Sequence, residues 1–154
     1  MVDVVVRPPT RADIGTLVAH LRPGDRQELE ASNGGDLHDA VRHALHISAH
    51  RWAMDIDGEL ALLGGVAVVS LLTGTASPWL LGTTVLDARG GVLTRVGLRY
   101  RDLASGLYPH LVNYVDARNV KSIRWLKRLG FTVAAEPVPH GPKGMPFYKF
   151  ELRC

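Results

Sequence analysis

A chain of 154 residues with 46% hydrophobic residues suits one domain with one apolar core, and is too short for two. The formal charge of +3 and the pI of about 9.3 favour anionic partners. Charged residues make up only 21% of the chain and are interspersed, which argues against a nucleic-acid-binding protein. The single cysteine, Cys154, excludes an internal disulfide and favours a reducing compartment.

The apolar runs argue against a membrane or secreted protein. Leu60 to Leu72 is interrupted by Gly64-Gly65, so it falls short of the ~20 apolar residues that cross a bilayer. The start does not resemble a secretory signal, because it carries Asp3 and because Arg7-Pro8-Pro9 follows at once. We therefore expect a cytoplasmic protein.

The first half of the chain alternates β-branched runs with helical patterns. Thr10 and Asp13 form a capping-box pattern at a helix start, and Asp57-Gly58 is a strong signal for a tight hairpin turn. The predicted elements are a strand at Val2–Val6, a helix from Thr10 through Leu21, a short helical piece at Asp25–Ala31, a helix at Asp36–His50, and strands at Arg51–Ile56 and Glu59–Val69.

The second half continues with the same two kinds of pattern. Its predicted elements are a strand at Trp79–Leu86, a helix at Gly91–Leu107 with Val92, Val96, Tyr100 and Leu103 as its core stripe, a strand at Leu111–Val115, a helix, a strand from Phe131, a loop at Pro137–Pro146 and a last strand at Phe147–Leu152. Asn119 suits the capping position of the last helix, and Gly130 can take the left-handed conformation that ends it.

The segment from Asn113 to Phe131 is the most informative one. Asn119, the helix that follows it and the closing Gly130-Phe131 resemble the C-terminal signature of the GCN5-related N-acetyltransferase (GNAT) family. The predicted order β, α, α, β, β, β, α, β, α, β, β is also similar to the order of that fold. The resemblance implies an α/β (α+β) fold over 1–154, with a mixed, mostly antiparallel, splayed seven-stranded sheet flanked by about four helices.

The same resemblance implies a function. It predicts a protein that binds acetyl-CoA, with the arm of the cofactor between two splayed strands, and that transfers the acetyl group to an amine of an unknown acceptor, a small molecule or a protein. Within the family, the segment looks like acetyltransferase-like proteins of tailed phages, including internal virion proteins. The alternative is therefore a non-catalytic GNAT-fold phage protein with a virion or host protein as partner, located in the host cytoplasm or the virion.

The family's phosphate loop is altered here. Its pattern, Arg/Gln-x-x-Gly-x-Gly/Ala, follows the fourth strand, and its backbone N–H groups hold the pyrophosphate of coenzyme A. Leu86 stands in place of the Arg/Gln and Arg89 in place of the first glycine. The residues that the resemblance assigns to the cofactor are Val85, Leu86, Arg89, Gly90, Gly91, Val92, Asn119 and Ser122. Arg89 is either a phosphate ligand or an exposed turn residue, and Asn119 is either a cofactor ligand or a plain helix cap.

The catalytic residues stay unassigned. Many family members carry a tyrosine that protonates the leaving thiolate, and Leu126 stands at that position. The neighbouring Trp125 cannot act as a general acid, because an indole N–H does not give up its proton in this pH range. Asp87, His110 and Tyr114 are the candidate bases, but none has a partner visible in the sequence.

Other partners are not indicated. His43, His46 and His50 share one helical face, but that face lies opposite Leu37 and Val41 and is predicted to meet solvent, so we expect no metal site. Aromatic residues do not alternate with the basic ones, and a nucleic acid is therefore not an expected partner.

Overall fold

The structure is a computed structural model that describes residues 2–88 and 90–154. Within these residues the α-helices are α1 (Arg11–His20), α2 (Pro23–Asn33), α3 (Leu37–Ile47), α4 (Gly90–Leu107) and α5 (Val120–Arg128). The strands are β1 (Val4–Arg7), β2 (Ser48–Ile56), β3 (Glu59–Ser70), β4 (Thr75–Gly82), β5 (His110–Asp116), β6 (Thr132–Val133), β7 (Val138–His140) and β8 (Met145–Arg153). None of the described helices is long and apolar enough to span a membrane.

The strands form one mixed sheet in the order β1-β2-β3-β4-β5-β8-β6, with β7 also paired to β8. Every pairing is antiparallel except β4 with β5, which is parallel. The predicted fold class is confirmed. Among the described residues the sheet has eight strands and five α-helices flank it, because β7 forms inside the predicted loop Pro137–Pro146 and α2 is a full helix.

The predicted strand at Trp79–Leu86 is wrong at both ends. β4 begins at Thr75 and ends at Gly82, and a short 3-10 helix, Thr84–Ala88, follows it. The chain turns because the side chain of Leu86 is only 1% exposed and belongs to the core, and because its N–H donates to the carbonyl of Thr83. The strand therefore ends four residues earlier than predicted, and the first residues of the loop that the resemblance assigns to phosphate, Leu86 to Ala88, lie in the 3-10 helix.

The predicted helix at Asp36–His50 is also too long. α3 ends at Ile47, and β2 begins at Ser48. The hydroxyl of Ser48 donates to the carbonyl of Ala44 at 2.6 Å and accepts from Trp79 Nε1 at 2.7 Å. These two bonds occupy Ser48 at the point where the chain leaves the helix, and His50 consequently lies on a strand.

Helices cover both faces of the sheet. On one face, Leu17 of α1 and Val41 of α3 pack against Leu63 of β3. The neighbouring Leu62 points to the opposite face, where it belongs to a cluster with Val92 of α4. The core thus lies in two layers, one on each side of β3.

The core stripe of α4 differs from the prediction at one position. Val92, Val96 and Tyr100 pack into the core as expected. Leu103 is 51% exposed, and Ala104 is buried instead. A stripe that advances by four residues per turn reaches residue 104 after residue 100, and therefore Leu103 falls on the outer side.

Candidate active site

The parallel pairing of β4 with β5 stops after Ala76 and Leu111. Two residues further along β4, Pro78 has no N–H for the next bond of the ladder. The side chain of Asn113 donates to the Pro78 carbonyl at 2.8 Å and accepts from the Tyr114 N–H at 2.8 Å. In a continuing ladder the Tyr114 N–H would bond to the Pro78 carbonyl directly, but here the amide of Asn113 lies between them. The two strands separate from this point.

The separation of the strands leaves a cavity of about 270 Å³. One side of its lining comes from α2, and the other from α4 and α5. Most of the lining is apolar or aromatic, and it includes Trp79, Leu80, Trp125, Leu126, Phe147 and Phe150. A mostly apolar cleft with a few polar groups is typical of a site for a small molecule.

Both carboxyl groups that line the cavity come from α2. Asp25 accepts from the Gly82 N–H at 2.8 Å, at the end of β4, and Glu28 accepts from the Asp116 N–H at 2.8 Å, at the end of β5. Asp25 and Glu28 are one helical turn apart and therefore lie on the same side of α2. The two carboxylates thus bind the ends of the two separated strands.

Burial changes the charge of these groups. It raises the pKa of Glu28 to about 7, and it also raises the pKa of Asp25. Asp116 is different: burial alone would raise its pKa, but hydrogen bonds from Arg118 at 2.7 and 3.0 Å lower it. Glu28 is therefore partly protonated near neutral pH, whereas Asp116 stays ionised.

Asn119 is buried between α2 and α5. Its side-chain oxygen accepts from the Ser122 N–H at 3.4 Å, which confirms the predicted cap of α5. Its amide lowers the pKa of Asp25 and of Glu28, yet Nδ2 is buried without a hydrogen bond of good geometry. A Cβ at Gly24 would approach Asn119 Oδ1 to 3.0 Å, so α2 packs tightly here. Asn119 therefore caps α5 and directs its amide to the carboxylates of α2, but it is not among the residues that line the cavity.

Most of the loop residues assigned to the cofactor lie away from the cavity lining. Val85 and the buried Leu86 lie in the 3-10 helix, and Gly90 begins α4. Gly91 is exposed, with open space where a Cβ would be, and Val92 belongs to the core. Arg89 lies outside the described residues. Ser122 does line the cavity. The structure thus brings only part of the predicted set together.

Two of the candidate bases are occupied by other contacts. Asp87 pairs with Arg22 at 3.3 Å. The ring of His110 is 2.7 Å from Glu151 and 3.2 Å from the hydroxyl of Thr75, so both of its nitrogens have partners. Neither Asp87 nor His110 lines the cavity, so the structure does not bring them to the candidate site.

Tyr114 lies in the cavity lining together with a residue that the sequence did not indicate. Its ring stacks on His140, with 4.9 Å between ring centroids, and burial lowers the pKa of His140. Asp25 and Glu28 were missed as well. Their signal was the spacing of Arg22, Asp25, Glu28 and Ser32, which puts polar side chains on the inner side of a helix.

The three histidines do not form one cluster. His43 and His46 are exposed on α3, and the ring of His50 stacks on Trp52 of β2. Across residues 2–88 and 90–154, no group of three or more His, Cys, Asp or Glu side chains is arranged to hold a metal ion.

Comparison with known proteins gives a fold but no sequence relative. No protein-family model matches the sequence, and no curated protein gives a significant match. Among solved structures, the fold is similar to spermidine N-acetyltransferase from Vibrio cholerae in complex with CoA and spermine, with a TM-score of 0.71, 12% identity, and coverage of 97% of this chain and 95% of that one.

Two further structures extend this comparison. The ribosomal-protein-alanine N-acetyltransferase from Brucella melitensis matches with a TM-score of 0.69 and 16% identity, over 97% of this chain and 99% of the other. The acetyltransferase of the GNAT family from Streptococcus pneumoniae matches with a TM-score of 0.66 and 14% identity, over 98% and 99%. The chain therefore has the fold of GNAT acetyltransferases over almost its whole length.

Proposed function

We propose that this protein is an N-acetyltransferase that binds acetyl-CoA between β4 and β5 and transfers its acetyl group to an amine. The observation that carries the proposal is the separation of these strands at Pro78 and Asn113, which leaves backbone groups of β4 beside a cavity. The fold supports it, because one structure of the same fold is a spermidine N-acetyltransferase in complex with CoA and spermine.

The residues at the gap fit the pantetheine arm of coenzyme A. Pro78 and Gly82 both direct backbone groups into the gap, so Leu80 between them directs its N–H and C=O the same way. An extended chain with amide groups can pair with such a free strand edge. Trp125 lines the cavity, and its buried Nε1 has no hydrogen-bond partner among the described residues, so it would suit a carbonyl oxygen of a ligand.

Glu28 is the residue best placed to remove the proton of the acceptor. An ammonium cannot attack a thioester, so a base must first take one proton. Glu28 lines the cavity, and its pKa of about 7 makes it an effective base near neutral pH. The amine nitrogen then bonds to the acetyl carbon, the carbon–sulfur bond of acetyl-CoA breaks, and coenzyme A leaves as the thiolate, while the nitrogen loses its second proton to solvent. Leu126 cannot protonate that thiolate, and solvent has to supply the proton.

The proposal is tested by binding and by turnover. Titration calorimetry with acetyl-CoA and with coenzyme A should give micromolar dissociation constants, about −8 kcal/mol. Release of thiol in the presence of a panel of primary amines should follow. Glu28→Gln should lower the rate about 10²- to 10⁴-fold, while Glu30→Gln, on the exposed side of the same helix, should leave it unchanged. Absence of heat at high micromolar cofactor would refute the proposal.

The second candidate is a non-catalytic phage protein that keeps the fold as a virion or host-interaction component. Leu126 favours it, because this buried side chain replaces the expected acid. The phage or prophage origin, and a location in the host cytoplasm or the virion, rest on the resemblance of the segment from Asn113 to Phe131. A folded protein that binds neither acetyl-CoA nor coenzyme A would favour this candidate.

A further inference from the structure

α2 is anchored differently from the other helices. Asp25 is its single fully buried residue, and Leu29 is its partly buried apolar contact with the core. α1 and α3, by comparison, bury Leu17 and Val41 completely. Hydrogen bonds to the strand ends therefore contribute much of what holds α2 in place.

These hydrogen bonds occupy the gap edge, by which we mean the backbone groups of Leu80, Gly82 and Asp116 that face the space between β4 and β5. Asp25 accepts from the Gly82 N–H at 2.8 Å, and the N–H of Arg22 donates to the Gly82 carbonyl at 2.9 Å. Glu28 accepts from the Asp116 N–H at 2.8 Å. The start of α2 thus pairs with the strand ends as an added strand or an amide-bearing ligand would.

We propose that α2 is a lid: in the free protein Asp25 and Glu28 occupy the gap edge, and coenzyme A displaces the first turn of α2 from it when it binds. This inference rests on the proposed function, because it concerns the same cofactor. The competition follows from the contacts, since the Gly82 N–H cannot serve Asp25 and a cofactor amide fully at once.

The two ends of α2 are held unequally, which suits a lid. At the C-terminal end, a Cβ at Gly141 would lie 2.1 Å from the Ala31 carbonyl, and one at Gly34 would lie 2.6 Å from the ring of Pro142. This end therefore packs closely against the turn between β7 and β8. The N-terminal end begins at Pro23-Gly24 and carries Asp25, whose burial costs free energy that exposure to water would return. Glu28 lies one turn further along α2 and stays in the cavity. Gly24 of the first turn also packs against Asn119, but the hydrogen bonds of this turn to Gly82 are contacts that a ligand amide can replace. The first turn is therefore the end that we expect to move.

The test compares three proteins by calorimetric titration with coenzyme A: the parent, a double variant Asp25→Ala/Glu28→Ala, and a control Gln27→Ala/Glu30→Ala on the exposed side of α2. Loss of the competing carboxylates should tighten binding about tenfold, which equals about 1.4 kcal/mol. The control should bind like the parent. Melting curves establish that each variant is folded.

A second measurement needs no variant. Hydrogen exchange of the parent should become faster in residues 22–28 when coenzyme A is bound, although a ligand usually slows exchange around its site. The lid requires both results. Equal or weaker binding by the folded double variant, or slower or unchanged exchange in α2, overturns the lid and leaves the cofactor site intact. Absence of binding in all three proteins overturns the lid together with the proposed function.

Discussion

α5 and α2 border the same cavity, but they are held there by different forces. α5 buries Leu126 and Leu129, and its Trp125 fits against Gly97 of α4, where an added Cβ would lie 2.5 Å from the indole. α2 contributes carboxylates that accept hydrogen bonds from strand ends. Coenzyme A cannot replace the apolar packing that holds α5, whereas its amide groups can replace the backbone hydrogen bonds that hold α2. We therefore call α5 the fixed wall of the cavity, and α2 the replaceable wall, because a ligand can take over its hydrogen bonds.

The fixed wall predicts the largest loss of stability. Leu129→Ala should lower the free energy of unfolding by about 2–5 kcal/mol, because Leu129 is buried in the core cluster beneath α5. Denaturant unfolding followed by circular dichroism measures it. Arg124→Ala, on the exposed side of α5, should stay within about 0.5 kcal/mol of the parent. A loss below 1 kcal/mol for Leu129→Ala would mean that α5 is not held by apolar packing.

The next change in stability is expected at Asn119, which lies between α2 and α5. Asn119→Asp retains a capping oxygen, yet it would place a third carboxylate beside Asp25 and Glu28. We expect a loss of about 1–3 kcal/mol at pH 8 and a smaller loss at pH 5, where Glu28, whose pKa is about 7, is largely protonated. Asn119→Ser, which also caps but adds no charge, is the matched control. Equal stability of the two variants at pH 8 would contradict the burial of charge at this point.

For the replaceable wall, α2, we expect a change in the free energy of unfolding that depends on pH. The folded pKa of Glu28, about 7, lies above its ordinary value of 4.5, so its contribution to stability is present below pH 4.5 and is lost as the pH rises through 7. The pKa values of Asp13, Asp116 and Glu151 are lowered, so these groups change the free energy of unfolding only at lower pH. Between pH 5 and 8 the parent should therefore lose about 2–3 kcal/mol through Glu28.

Glu28→Gln should remove that loss and leave only the part due to Asp25. Unfolding curves at intervals of half a pH unit measure the difference between the parent and the variant. Glu30→Gln is again the control, because Glu30 is exposed on the same helix. Parallel pH profiles for the parent and Glu28→Gln would show that Glu28 is solvated, and would remove it as a base.

The fixed wall was also the part that the sequence predicted well. The cap at Asn119, the end of α5 before Gly130 and the hairpin turn at Asp57-Gly58 are local signals, and all three are confirmed. Asp57 and Gly58 have φ angles of 50° and 81°, as a type I′ turn requires. Such signals succeed because neighbouring residues alone decide the backbone conformation.

The replaceable wall was not predicted, because its contacts are distant in the chain. Asp25 and Gly82 are 57 residues apart, and Glu28 and Asp116 are 88 residues apart. No local pattern specifies which backbone N–H a carboxylate will reach. The polar inner side of α2 was visible as a spacing, but it reads as an ordinary solvated face until the sheet is placed beneath it. The wrong C-terminal end of the predicted strand at Trp79–Leu86 has a similar cause, since tertiary packing of Leu86 ends β4 early.

The central claim is that coenzyme A binds along the gap edge of β4 and β5. Backbone amide chemical shifts of the isotope-labelled protein, followed during titration with coenzyme A, test it most directly. We expect the amide signals of Leu80, Gly82 and Asp116 to shift most strongly and to saturate together, with those of Asp25 and Glu28 changing alongside them. Saturable binding that leaves these five signals unchanged would place the cofactor elsewhere and contradict the account.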